Sequence, residues 1–127
     1  MISFVKVKVR ITKDFKRALK PLLKKYNSLT NDLFLLQSEL YLNPKLGTPI
    51  GKGIYKIRLK IKSKPQGKSG GARVISLLET TIIGIESSEN KEESTVILLY
   101  IYDKSEVANI SDKELKDFIK RFHIGDE

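Results

Sequence analysis

Two stretches of this chain alternate apolar and cationic residues with a period of two. Val5, Val7, Val9 and Ile11 alternate with Lys6, Lys8 and Arg10. Tyr55, Ile57, Leu59 and Ile61 alternate with Lys56, Arg58, Lys60 and Lys62. Successive side chains of a strand point to opposite faces, so each stretch reads as a strand with one face on a core and one in water. An all-helical fold cannot use that pattern. A wet face needs polarity, but cations without anions repel one another along a strand. No acidic residue occurs between Glu39 and Glu79, whereas nine Lys and Arg do. The second strand runs into Ser63–Gly71, a loop with Gly67, Gly70, Gly71, one proline, Lys64 and Lys68. Gly70-Gly71 lets the backbone take positive φ or approach a ligand closely. Residues 52–75 therefore read as an anion-binding hairpin.

Around this hairpin the other elements follow in order. Thr12 is the expected N-cap of an amphipathic helix over 13–26, with Asp14 in its first turn and Phe15, Leu19, Leu22, Leu23 and Tyr26 on its apolar stripe. Pro21 should kink that helix or split its turns. Leu29, Leu33, Leu36 and Leu40 define a second helix to about Leu42, capped by Ser28 or Thr30. The short break between the two implies an antiparallel helical hairpin. After the loop, 72–84 is an apolar strand, 85–95 (IESSENKEEST) a solvated turn or extended hairpin tip, and 96–103 (VILLYIYD) a central strand covered on both faces. Asp103–Glu106 forms a single helical turn. Ser111 and Glu114 are spaced as a capping box, and Leu115, Phe118, Ile119 and Phe122 give the last helix its apolar face. The expected fold is α+β: one domain over 1–127, a small, mainly antiparallel sheet, the helical hairpin packed on one face, and a C-terminal helix, with the helices on one side. The packing expected at its centre is Tyr55, Ile57, Leu59 and Ile61 against Leu29, Leu33, Leu36 and Leu40.

The net charge of +9 is unevenly placed. Residues 1–78 hold 18 basic and 3 acidic groups; residues 79–127 hold 6 basic and 12 acidic. A basic body of this kind suits nucleic acid, an acidic protein or an anionic membrane surface. No apolar run is long enough for a membrane span, and the first residues lack a signal-peptide core, so a cytoplasmic location without membrane attachment is expected. The chain has no cysteine and one histidine, His123. That excludes disulfides and thiolate metal sites and makes a zinc site improbable, so no metal and no cofactor is expected. Gly-Lys-Ser at 67–69 is not a phosphate-binding P-loop, because Lys62 stands where the upstream glycine would be required. What remains is Lys, Arg and Tyr. Such a set can cleave RNA, since the 2′-hydroxyl is an internal nucleophile and the protein need supply only positioning, proton transfer and charge stabilisation. A guanidinium can hold two phosphate oxygens in its fork, and a tyrosine or lysine among cations has its pKa drawn down toward a usable base.

Three strings, GTPIGKGIYKIRLKIKSKPQGKSGGARVI, LLYIYDKSE and NISDKEL, resemble the RelE/ParE superfamily of type II toxin–antitoxin toxins, in particular its RelE/HigB-like branch. The resemblance runs from about Phe15 to Leu115. It implies a compact sheet with two N-terminal helices on one face, and ribosome-dependent, metal-independent cleavage of mRNA that leaves a cyclic phosphate and a 5′-hydroxyl. It also implies three partners: a cognate antitoxin, the ribosome and mRNA. Arg73 matches the arginine that contacts the scissile phosphate. Arg58, Lys68, Tyr102 and Lys104 fall where the family carries its other catalytic side chains. Lys56, Lys60, Lys62 and Lys64 are expected to hold RNA. A ParE-like inhibitor of DNA gyrase and a non-catalytic RNA-binding protein on the same fold are the alternatives. The scarcity of aromatics over 52–75, where Tyr55 stands alone, argues against a base-stacking single-strand binder.

Overall fold

The structure is a computed structural model that describes residues 2–64, 71–86, 89–107 and 109–125. In chain order its elements are β1 (Ile2–Ile11), α1 (Lys13–Lys25), α2 (Leu29–Leu42), β2 (Thr48–Gly51), β3 (Ile54–Leu59), β4 (Ala72–Glu86), β5 (Glu89–Asp103) and α3 (Asp112–Gly125). The strands form one mixed sheet in the order β1-β5-β4-β3-β2. β1 lies parallel to β5, and the other neighbours are antiparallel. The α+β class is as expected. β2 is a short edge strand ahead of β3.

Local chemistry sets the helix starts. The Thr12 hydroxyl accepts the Phe15 amide (3.0 Å) and shares its proton between the carbonyls of Leu98 and Leu99 (both 3.2 Å). One side chain thus caps α1 and ties it to the central strand. α1 continues through Pro21 as one helix. Ser28 stands at the start of α2 but does not cap it; its hydroxyl donates to Asp32 (2.7 Å) and also bonds Ser63. Ser111 and Glu114 do form the capping box that starts α3.

β4 and β5 are apolar on both faces and divide the core in two. On one face Phe15, Leu22, Leu29, Leu36 and Leu40 of α1 and α2 pack with Ile57, Leu59, Val74, Val96 and Leu98. Leu36 and Ile57 are buried as expected, whereas Tyr55 is only half-buried. On the other face Ile75, Leu77, Ile97 and Leu99 pack with Ile110, Phe118 and Phe122. The three helices therefore do not share one side: α3 covers the face opposite the hairpin. The physical reason is that alternation in β4 and β5 turns four large aliphatic side chains away from the hairpin, and burying them contributes about 1.5–3 kcal/mol each.

Of the two forms expected for the acidic segment, the structure takes the extended hairpin. β4 and β5 continue through it as 15-residue strands, so residues 89–95 are ladder and not a solvated turn. They lie beside β1, where Lys6 is registered with Glu93, and Lys8 makes an ion pair with Glu93 at 3.1 Å. The cations of β1 are thus partly offset by the glutamates of β5. Those of β3 have no such neighbour strand.

Candidate nucleic-acid interface

The register of the sheet brings Arg58 opposite Arg73, and Arg73 opposite Tyr102. Residues opposite one another in adjacent strands put their side chains on the same face. Strands are spaced by about 4.8 Å, so this row spans about 10 Å. The row lies on the α3 side. Arg58 is exposed, Arg73 is 8 % exposed and Tyr102 is 3 % exposed. One guanidinium at the surface and one sunk beside a phenol form a graded approach for an anion. Two arginines directly opposite repel, and a bound phosphate would remove that cost.

The Tyr102 hydroxyl is buried without a hydrogen-bond partner among the described residues. Burial pushes its pKa up, opposed by the positive charge of Arg73. The expected depression toward a usable base is therefore not what the fold produces: desolvation outweighs the neighbouring cation, and Tyr102 is a neutral proton donor at physiological pH. Arg73 directs Nη1 at the carbonyl of Ala72 (3.2 Å), which fixes the plane of its fork.

The next row is Lys56, Ile75 and Tyr100. Lys56 donates to the side chain of Asn109 (3.1 Å), and Tyr100 stacks on Phe118 with centroids 4.5 Å apart. The segment leading into α3, and α3 itself, therefore border the site. Lys60 and Lys62 follow β3 and are exposed. With Lys56, Arg58, Asp32 and Glu39 they line a groove of about 460 Å³ between α2 and the sheet edge.

Two of the remaining predicted residues stand elsewhere. Lys64 is turned inward: its side chain is 6 % exposed and its ammonium lies 2.8 Å from Asp103. Its charge is matched inside the protein, which removes it from the RNA-facing set. Lys104 closes the strand end; its amide donates to Gly71 (3.1 Å) and its side chain is half-buried. Lys68 lies outside the described residues.

The sequence reading passed over Asp103. Its carboxylate is buried on the hairpin side, where Tyr26 (2.5 Å), Lys64 (2.8 Å) and the Ser105 hydroxyl (2.7 Å) donate to it, with Lys25 at 3.7 Å. Burial alone would raise its pKa, but these hydrogen bonds outweigh burial and hold the carboxyl well below the usual carboxylate range. The available signal was an acid closing an otherwise apolar strand. Among the described residues no group of three or more His, Cys, Asp or Glu could hold a metal ion. No helix among them is long and apolar enough to cross a membrane.

No protein-family model matches the chain, and no solved structure gives a significant match to it.

Proposed function

We propose that the chain is a RelE-like toxin of a type II toxin–antitoxin module, acting in the cytoplasm as a ribosome-dependent mRNA endoribonuclease. The observation that carries this reading is the Arg58–Arg73–Tyr102 row, with its buried, unpartnered phenol. Two further features support it. A pair of N-terminal helices lies on one face of the sheet, as the resemblance implies. The β3 cations face outward with no anionic strand beside them.

In this reading Arg58 and Arg73 hold the non-bridging oxygens of one phosphodiester. The RNA's own 2′-hydroxyl attacks the phosphorus and gives its proton to water. As the bond to the 5′-oxygen breaks, the neutral Tyr102 hydroxyl donates its proton to that leaving group and then regains one from water. The products are a 2′,3′-cyclic phosphate and a 5′-hydroxyl. The guanidiniums act most strongly when negative charge peaks on the phosphorane, so they change rate more than affinity. Lys56, Lys60 and Lys62 contribute electrostatic holding along the strand. A cognate antitoxin keeps the protein from RNA between uses.

The test is primer extension on an mRNA with and without translating ribosomes. New 5′ ends only in the presence of ribosomes are expected. Intact message under both conditions, together with harmless expression of the protein alone, would remove the proposal.

A further inference from the structure

We propose that Asp103 is a positioning residue that locks the last rung of the β3–β4–β5 ladder and so fixes Arg73 and Tyr102 on the far side of the sheet. The inference rests on the reading of that row as a phosphate site. Its basis is where the ladder stops. Ala72 is registered with both Leu59 and Asp103, and this is the final rung. Beyond it the chain leaves regular structure on both sides, through Gly71 at φ +57 and the turn that follows Asp103. Arg73 and Tyr102 form the next rung in. Strand ends open easily, so the row stands at a place where an ordinary sheet frays.

The Asp103 carboxylate gathers every segment that meets there. One oxygen accepts from Lys64 Nζ (2.8 Å) and from the amide (2.9 Å) and hydroxyl (2.7 Å) of Ser105. The other accepts from Tyr26 at the end of α1 (2.5 Å). Lys64 in turn reaches the Gly71 carbonyl at 3.3 Å, and the Lys104 amide bonds the same carbonyl at 3.1 Å. Closing a turn needs only the Ser105 amide. A buried carboxylate with this many donors joins α1, residue 64, the start of β4 and the end of β5 into one rigid knot. No group of the knot lies on the row's face. It acts through the backbone, because Arg73 and Tyr102 share peptide planes with Ala72 and Asp103. A displacement of about 1 Å in a reacting group can cost about a hundred-fold in rate. Lys56, three residues inside that rung on β3, would feel it least.

The test compares the unaltered protein with Asp103→Asn and the milder Tyr26→Phe, at a temperature where circular dichroism shows all three fully folded. Amide hydrogen exchange is read at Arg73 and Tyr102, with Leu98 as the reference. Single-turnover cleavage of ribosome-bound mRNA is read as a maximal rate and a half-saturating concentration. In Asp103→Asn, exchange at Arg73 and Tyr102 should rise by about ten-fold or more while Leu98 stays unchanged. The maximal rate should fall about 10–100-fold, with half-saturation within about two-fold. The double variant Asp103→Asn/Lys64→Gln, which rebuilds a neutral bonded pair, should recover most of the rate. Exchange that is unchanged, or raised equally at Leu98, overturns the inference, as does a loss confined to half-saturation. If Asp103→Asn does not fold, Tyr26→Phe carries the same comparison. An unaltered protein that cleaves nothing overturns the function proposed above; the exchange comparison then decides the role of Asp103 alone.

Discussion

Among the described glycines with positive φ, Gly71 is the one with least room for a side chain. Its φ is +57, and a Cβ built there would lie 2.3 Å from the carbonyl oxygen of Leu59 and 3.1 Å from the nitrogen of Ile61. Gly71→Ala therefore carries two costs. The left-handed backbone costs an L-residue about 1–2 kcal/mol. The clash is with backbone, so no rotamer change relieves it, and β3 must retreat by about 1 Å at its packed end, which typically costs about 1–3 kcal/mol. The sum is about 2–5 kcal/mol. Gly51 separates the terms. It also has positive φ (+110), but a Cβ there would meet nothing within 4 Å. Gly51→Ala should show strain alone, about 1–2 kcal/mol. Urea unfolding followed by far-ultraviolet circular dichroism gives both values, provided the m-values agree. If the two substitutions cost the same within about half a kcal/mol, the β3–β4 contact at Gly71 is not the tight one described and the reasoning fails.

Leu36→Ala should cost about 2–5 kcal/mol, because Leu36 is 3 % exposed between α2 and the sheet; Leu42→Ala, at 89 % exposure, should stay within about half a kcal/mol, and equal values would misplace the buried face of α2. Arg73→Ala should lower the maximal rate of ribosome-dependent cleavage about 10²–10³-fold with half-saturation little changed, whereas Lys60→Ala should only weaken binding and reduce its salt slope by about one; the reverse pattern would put the phosphate elsewhere. The Asp103 carboxyl has a folded pKa below its unfolded value, so the stability it contributes is complete above about pH 4 and is lost as pH falls further through the folded value. Urea midpoints measured on acidification should therefore fall for the unaltered protein below that pH and change less for Asp103→Asn, and parallel curves would deny the linkage.

Period-two patterning made the faces of β3 legible, because each residue there has one environment, and the unbroken apolar run VILLYIYD made a strand covered on both faces legible. The helical stripes were legible for the same reason. The side taken by α3 was not, since its apolar face specifies that it is covered but not by which face of the sheet. The acidic 85–95 segment left a solvated turn and an extended hairpin both open, because its charges look solvated; pairing with β4 and with the lysines of β1 makes it strand. At the site, the residue types of Arg58, Arg73 and Tyr102 were readable, but their alignment is a property of register, fixed by the β4–β5 bulge between Ile75 and Ser76. Lys64 shows the limit most clearly. A lysine in a cationic loop reads as a ligand for anions until the fold delivers Asp103, 39 residues later, to within 2.8 Å.

The parallel pairing of β1 with β5 has a consequence for how the chain is made. Ile2 is registered with Glu89 and Ile11 with Leu98, so the first strand has no partner in the sheet until some 87 further residues exist. At about 5–20 residues per second of synthesis, that is roughly 4–17 seconds during which an unpaired β strand waits. Non-local pairing of this kind also sets a slow folding rate, since the closing loop spans most of the chain. Lys6, Lys8 and Arg10, spaced between its valines, are the residues that keep such a strand from finding another chain first.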